Sequence, residues 1–343
     1  MGVIIACGVF SQSNGRVVNA QSQTSGSPSP TPTPRISEDD TVIKIETELV
    51  NLNVRVVDRF SRPISNLKQS EFAIYEDNVL QQIEFFSQSE VPTNYTMLVD
   101  NSGSMRSQIE KVIEASKILI NSNRPADETS VIRFVGRDKI EILQDFTSNR
   151  DDLEYALENL HIDGGQTALR DAIYLAADRV SQYEKGTDDQ DGKRRALILI
   201  TDGEDRASYY SEKQLFQLLN ESDVQIYAIG FIKDLDARGN FIQKSEQAKA
   251  KAFLEKLATE TGGRAYFPNN VSELNTIAQE ISNELRTQYS IGYLPSNDRE
   301  DGSFRNIRVV VKDGPNKERR IAITRSGRIA GKPDGQPVLQ RSN

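Results

Sequence analysis

Between Thr41 and Ser87 the apolar positions repeat with period two. Val50, Leu52, Val54 and Val56 alternate with Leu49, Asn51, Asn53, Arg55 and Val57, the pattern of a strand with one apolar face. Asp58 to Pro63 reads as a turn, and Phe72 to Tyr75 and Gln82 to Phe86 as short strands. Tyr75-Glu76-Asp77-Asn78 has the composition of a hairpin turn. From Pro92 to Arg286 the rhythm changes. Short apolar runs at Tyr95–Val99, Val131–Val135, Ile140–Leu143, Ala196–Ile200, Val224–Ile229 and Ala265–Phe267 alternate with helical segments. The helices fall at Ile109–Ile120, Leu153–Leu160, Leu169–Val180, Gln214–Leu219, Ala248–Thr261 and Leu274–Leu285. A continuous apolar run such as Ala196 to Ile200 suits a strand covered on both faces. Strand-helix alternation over this length predicts a doubly wound, mostly parallel α/β sheet.

Tyr289 to Arg325 returns to short strands, at Ile291–Leu294, Ile307–Val311 and Arg320–Thr324. Each β block offers about three strands, and isolated small sheets are marginally stable. The two blocks are therefore expected to pair as a small sandwich-like domain into which the α/β unit is inserted. The expected partition is a signal segment over 1–20, a linker over 21–40, a β block over 41–90, the α/β domain over 91–286, a second β block over 287–330 and a tail over 331–343.

The ends carry no core. Val3 to Phe10 is a short apolar run, and Val18-Asn19-Ala20 resembles a small-residue cleavage site before Gln21. The basic start of such a segment is missing, and a start codon further upstream would supply it. A rival reading takes Ile4-Ile5-Ala6-Cys7 as a lipobox whose Cys7 becomes lipidated. Either way the chain is expected to be exported, to the periplasm, cell envelope or outside. Gln21 to Arg35 is nearly all Ser, Thr, Pro, Gln and Gly, the composition of an extended spacer.

Composition narrows the chemistry. At 343 residues the chain has room for about two domains. A net charge of -8 without a basic block argues against nucleic acid as a partner. One Cys and one His exclude a structural zinc site, a Cys-x-x-Cys motif and a disulfide framework. No run after the first residues reaches the length of a membrane span.

Ligands of open α/β sheets sit outside the carboxyl ends of the strands. After Tyr95–Val99 comes Asp100-Asn101-Ser102-Gly103-Ser104, and after Ala196–Ile200 comes Thr201-Asp202-Gly203. Gly164-Gly165-Gln166-Thr167 opens a helix between them. Asp100, Ser102 and Ser104 occupy every second position, so an extended loop turns them toward one point. Their oxygens and that of Thr167 are hard donors, suited to Mg²⁺ and not to a thiolate-seeking metal. Hydroxyl ligands leave most of the ion's charge uncancelled, so an open coordination position would attract a carboxylate. Asp100 and Asp202 supply negative charge directly or through bound water and hydroxyls. Gly103, Gly164 and Gly165 allow tight loops.

These elements resemble the metal-ion-dependent adhesion site of the von Willebrand factor A domain family, in chain order, over about Pro92 to Arg286. The flanks resemble secreted bacterial VWFA-related proteins, notably in Val54-Arg55-Val56-Val57-Asp58 and the late Tyr289-Ser290-Ile291-Gly292-Tyr293. The resemblance implies Mg²⁺, or Mn²⁺ in vitro, at Asp100, Ser102, Ser104, Thr167 and Asp202. It also implies a protein partner whose acidic side chain completes the coordination.

Plainer readings stand beside this one. Asp100 and Ser102 also suit the cap of a helix over Met105 to Ile120, and Thr167 the cap of the helix that follows it. Glu204 and Asp205 read as solvated loop charges, with an extended acidic rim as the alternative. Asp188 to Arg195 reads as an exposed loop, with a partner contact as the alternative, His161 as a helix-end residue, and Gly262-Gly263 as a helix C-cap. The leading expectation is a non-enzymatic binding module. One alternative is a metal-assisted phosphatase or hydrolase with Asp100 as nucleophile, although the Asp-x-Asp pattern of that chemistry meets Ser102 here. Another is a docking subunit of a larger envelope assembly. Nucleotide-binding glycine loops are absent from the sequence.

Overall fold

The computed structural model describes residues 49–88, 91–183, 193–232 and 243–331. The expected signal segment, Cys7, the expected linker, the stretch beyond Gly331 and most of the segment before Arg194 lie outside these residues.

The first β block contains β1 (Val50–Asp58), β2 (Phe72–Glu76), β3 (Val79–Gln81) and β4 (Ile83–Ser87). The α/β unit begins with β5 (Thr93–Asp100), α1 (Ile109–Asn121), β6 (Glu128–Phe134), β7 (Ile140–Thr147) and α2 (Arg150–Glu158). It continues with α3 (Leu169–Gln182), β8 (Arg194–Thr201), α4 (Glu212–Glu221), β9 (Gln225–Gly230), α5 (Gln243–Thr261), β10 (Arg264–Tyr266) and α6 (Leu274–Arg286). The last block is β11 (Tyr289–Tyr293), β12 (Phe304–Val311), β13 (Arg320–Ile323) and β14 (Gly327–Ile329).

The central sheet has six strands in the order β10-β9-β8-β5-β6-β7. Every neighbouring pair is parallel except β6 with the edge strand β7. All eight residues of β5 are buried, as the continuous apolar runs predicted. Alternate side chains go to opposite layers: Met97 and Val99 pack with α1, α2 and α6, whereas Leu98 packs with α3, α4 and α5.

The two β blocks interleave. One four-stranded sheet runs β13-β1-β11-β4 and the other β14-β12-β2-β3, so each takes strands from both sides of the α/β unit. Leu52, Val54 and Val56 meet Ile74, Tyr289, Ile291 and Val309 in a shared core. Asp77 and Asn78 sit at φ 48° and 65° in the β2-β3 hairpin, the conformation of a type I′ turn. The three-residue β14 went unforeseen, because so short a strand shows no periodicity.

The outward positions of β1 do not all face water. Arg55 is buried and ion-paired with Glu284 of α6, whose other oxygen accepts from Arg264 at 2.9 Å. The expected exposed loop over Asp188 to Arg195 fails at its end: Arg194 begins β8, is 1% exposed, and donates to the carbonyls of Leu285 (2.9 Å) and Gln288 (2.8 Å). Gly262 caps α5 as expected, at φ +75°, with its neighbour's amide bonded to the Ala258 carbonyl. A side chain on Gly263 would collide with the backbone of Ile226. These contacts seat the sandwich on the amino-terminal ends of the parallel strands, opposite the loops that carry Asp100 and Asp202.

Candidate metal centre

β5 and β8 are hydrogen-bonded neighbours with Val99 opposite Ile200, so both loops begin at one edge of the sheet. Asp100 is fully buried and both its oxygens are engaged. Oδ1 accepts from the Ser102 amide at 2.9 Å and Oδ2 from Thr201 Oγ1 at 2.7 Å. The first of these folds the loop back on itself and brings Ser102 Oγ within 2.9 Å of Ser104 Oγ. Ser102 makes no capping bond, and a 3₁₀ turn over Gly103–Ser107 separates it from α1. The cap expected of Asp100 and Ser102 is therefore not formed, and Ser102 and Ser104 line a pocket instead.

Thr167 is buried, and the N-cap of the helix after it is Ala168, not Thr167. Its carbonyl accepts the amides of Arg206 (2.8 Å) and Ala207 (3.0 Å), tying this loop to the one that follows Asp202. Asp202 is also buried. Its Oδ1 accepts the Glu204 amide at 3.0 Å, while its Oδ2 is inaccessible to water and has no partner among the described residues.

Ser102, Ser104, Thr167, Gln166, Glu204 and Arg206 line one pocket of about 320 Å³. Three of the five expected ligands thus share a wall, and the two carboxylates lie buried at the same strand edge. Burial pushes the Asp100 carboxyl up to about 7, and the charge of Asp202 pushes the same way against the hydrogen bonds from Thr201 and Ser102. A buried carboxyl whose proton affinity is raised by burial and by a neighbouring buried carboxylate is the electrostatic situation a cation relieves. The donor chemistry fits a hard divalent ion: three hydroxyls and a carboxylate oxygen that lacks a hydrogen bond. Of the three loop glycines, only Gly165 is confined, since a Cβ there would meet Val135 Cγ1 at 2.8 Å.

Glu204 lines the pocket and pairs at 3.0 Å with Arg206, a second lining residue that no motif marked. Asp205 is not a solvated loop charge; it pairs with Arg170 at 2.5 Å and its side chain is 15% exposed. Asp171 and Ser208 join the two loops and left no local motif. His161 follows the end of α2 as expected, its exposed ring beside the Asn159 carbonyl and the Arg133 guanidinium.

The fold and pocket define an α/β domain that gathers hydroxyl and carboxylate oxygens at the carboxyl edge of a parallel sheet. The von Willebrand factor type A domain model matches residues 95–280, more than half of the chain, and the chain belongs to that family. It is similar to inter-alpha-trypsin inhibitor heavy chain H4 of Sus scrofa, 26% identical over 236 residues, covering 65% of this chain and 24% of that protein. An uncharacterized protein of Synechocystis sp. is 34% identical over 115 residues, covering 33% of this chain and 26% of that one. The chain spans about a quarter of the length of these curated relatives. Among solved structures, proximal thread matrix protein 1 from the mussel byssus, with a zinc-occupied MIDAS motif, aligns with a TM-score of 0.44. It is 20% identical, covering 57% of this chain and 48% of that one.

Proposed function

We propose that this protein is an exported or envelope-associated binding module that engages a protein partner through a divalent cation, Mg²⁺ in the cell. The observation that carries this is Asp202 Oδ2, a buried carboxylate oxygen without a donor among the described residues, at the strand edge where Ser102, Ser104 and Thr167 line one pocket. When bound, the ion supplies a positive centre with positions open to an incoming acidic side chain. Ser102, Ser104, Thr167 and Asp202 would hold it. Asp100 would act from behind, since its oxygens already orient the Ser102 amide and Thr201.

The pocket supports a ligand larger than an ion. Its volume is several times the roughly 30 Å³ share of one water. Arg206 stands in the wall with its side chain 59% exposed and, among the described residues, paired with Glu204. Exposed pairs of this kind contribute little, so the guanidinium is free to turn to an incoming carboxylate.

The hydrolase alternative has less support. A nucleophile must reach the substrate, whereas Asp100 is fully buried with both oxygens bonded. Export rests on the apolar start and the Ser/Thr/Pro-rich spacer of the sequence. Among the described residues no helix is long and apolar enough to cross a membrane.

Titration calorimetry with Mg²⁺, followed by capture from envelope extract with and without EDTA, tests the reading. An EDTA-sensitive partner that binds wild type but not Thr167→Ala is expected. Metal-independent capture, or phosphatase turnover lost in Asp100→Asn, would overturn it. A partner that arrives within a stable multi-protein complex would favour the docking-subunit form of the same proposal.

A further inference from the structure

Helix α3 starts directly after Ala168, whose side chain has no acceptor for the first free amides of the helix. The acceptor comes from another loop. Ser208 Oγ, beyond Asp202, accepts from the amides of Arg170 (3.0 Å) and Asp171 (3.3 Å). Asp171, in the first turn of α3, returns the exchange. Its carboxylate accepts the amide of Tyr209 at 2.9 and 2.8 Å and that of Tyr210 at 2.8 Å.

In a capping box, a serine and an acidic residue three positions later exchange bonds with each other's backbone and close a helix start. The same exchange occurs here between two distant segments. One segment carries Thr167 and the other carries Asp202. The Arg170–Asp205 ion pair and the two amides on the Thr167 carbonyl lie within the same seam. Asp171 is only 4% exposed, so this carboxylate serves backbone amides and not solvent.

We infer that Asp171 and Ser208 are positioning residues of the metal site. They lock the loop of Thr167 to the loop of Asp202 and so fix the spacing of two donors that the chain delivers separately. The inference rests on the metal reading given above. It follows from what a small ion demands: Mg²⁺ requires ligand oxygens at about 2.0–2.1 Å in near-octahedral array. Donors on separate loops meet that demand only when the loops cannot slide past one another.

The test uses the full chain and Mn²⁺ alone as probe, with the free ion read by electron paramagnetic resonance. Asp171→Asn, Asp171→Ala and Ser208→Ala are compared at a temperature where near-ultraviolet circular dichroism shows each one folded. The Mn²⁺ Kd is expected to weaken by about tenfold or more in Asp171→Ala, the range seen when residues behind metal ligands are removed. Asp171→Asn keeps one acceptor oxygen and should recover part of the loss. Amide exchange at Tyr209 and Tyr210 should quicken in the same order. A purely structural role would lower the melting temperature and quicken exchange yet leave the Kd of the folded protein within twofold, and that result would overturn the inference. Should Asp171→Ala not fold, Ser208→Ala decides, since it removes only one hydroxyl. Wild-type protein that fails to retain Mn²⁺ defeats the metal reading itself, whereas equal retention by wild type and variants defeats only the positioning role.

Discussion

Thr201 Oγ1 donates to Asp100 Oδ2 at 2.7 Å, joining the last residues of two neighbouring parallel strands. The same hydroxyl accepts the Gly203 amide at 3.0 Å, so one threonine sets both the Asp100 carboxylate and the start of the Asp202 loop. Thr201→Val keeps the shape and removes both bonds. It is expected to weaken Mg²⁺ affinity by about tenfold, the lower end of the effect of residues behind metal ligands. Calorimetry on the folded variant checks this, and unchanged affinity contradicts it.

Thr167→Ala should abolish metal-dependent partner binding with little change in melting temperature. The structural bonds of this residue run through its carbonyl, which alanine retains, and the helix cap is Ala168. A capping role would instead cost about 1 kcal/mol and leave binding intact. Thermal melts and EDTA-sensitive capture on one preparation separate these outcomes.

The metal site should be pH-dependent. The Asp100 carboxyl, pushed up to about 7 in the fold, ionises at about 3.9 in an unfolded chain. Between those values the metal-free fold binds more protons than the unfolded chain, so this group's contribution to stability falls as pH rises. Mg²⁺ must displace the proton, so its affinity should rise through about pH 7 and binding should release protons. Calorimetry in buffers of different ionisation enthalpy measures that release. A flat affinity from pH 6 to 8 would contradict the prediction.

Arg206→Glu should separate ion from partner. The Arg206 guanidinium lines the pocket and is no expected metal ligand. Metal affinity should persist or rise with the added negative charge, while capture of an acidic partner falls at least tenfold. Equal loss of both would place Arg206 in the metal shell instead.

Arg55→Ala should destabilise the whole chain by about 3 kcal/mol, the lower end for breaking a buried ion pair, because Glu284 keeps Arg264. Chemical denaturation measures it. A loss under about 1 kcal/mol would show that Arg264 suffices.

The sheet was legible because its strands are buried on both faces, and that burial writes continuous apolar runs into the sequence. Asp100, Ser102 and Ser104 were legible because their alternation is local, and Thr167 and Asp202 because each follows or precedes an element with a clear pattern. Asp171 and Ser208 were not legible. Each bonds to backbone in a distant loop, and backbone partners impose no residue type on the sequence. Arg194 was misread because a charged run next to masking polar neighbours looks solvated until the carbonyls of Leu285 and Gln288 arrive from the other end of the domain. Arg55 hid in the same way, on the nominally polar side of a period-two strand.

The interleaving of the two β blocks has a cost during synthesis. β1 leaves the ribosome with Val50, Leu52, Val54 and Val56 on one apolar face, and its partners β11 and β13 are made only after the whole α/β unit. At roughly 5–20 residues per second the wait is on the order of tens of seconds. Throughout it an unpaired apolar strand is available to other nascent chains. Folding of the sandwich is thus the late, non-local step, and a holdase that covers β1 should raise the yield of native protein more than one acting on the α/β unit.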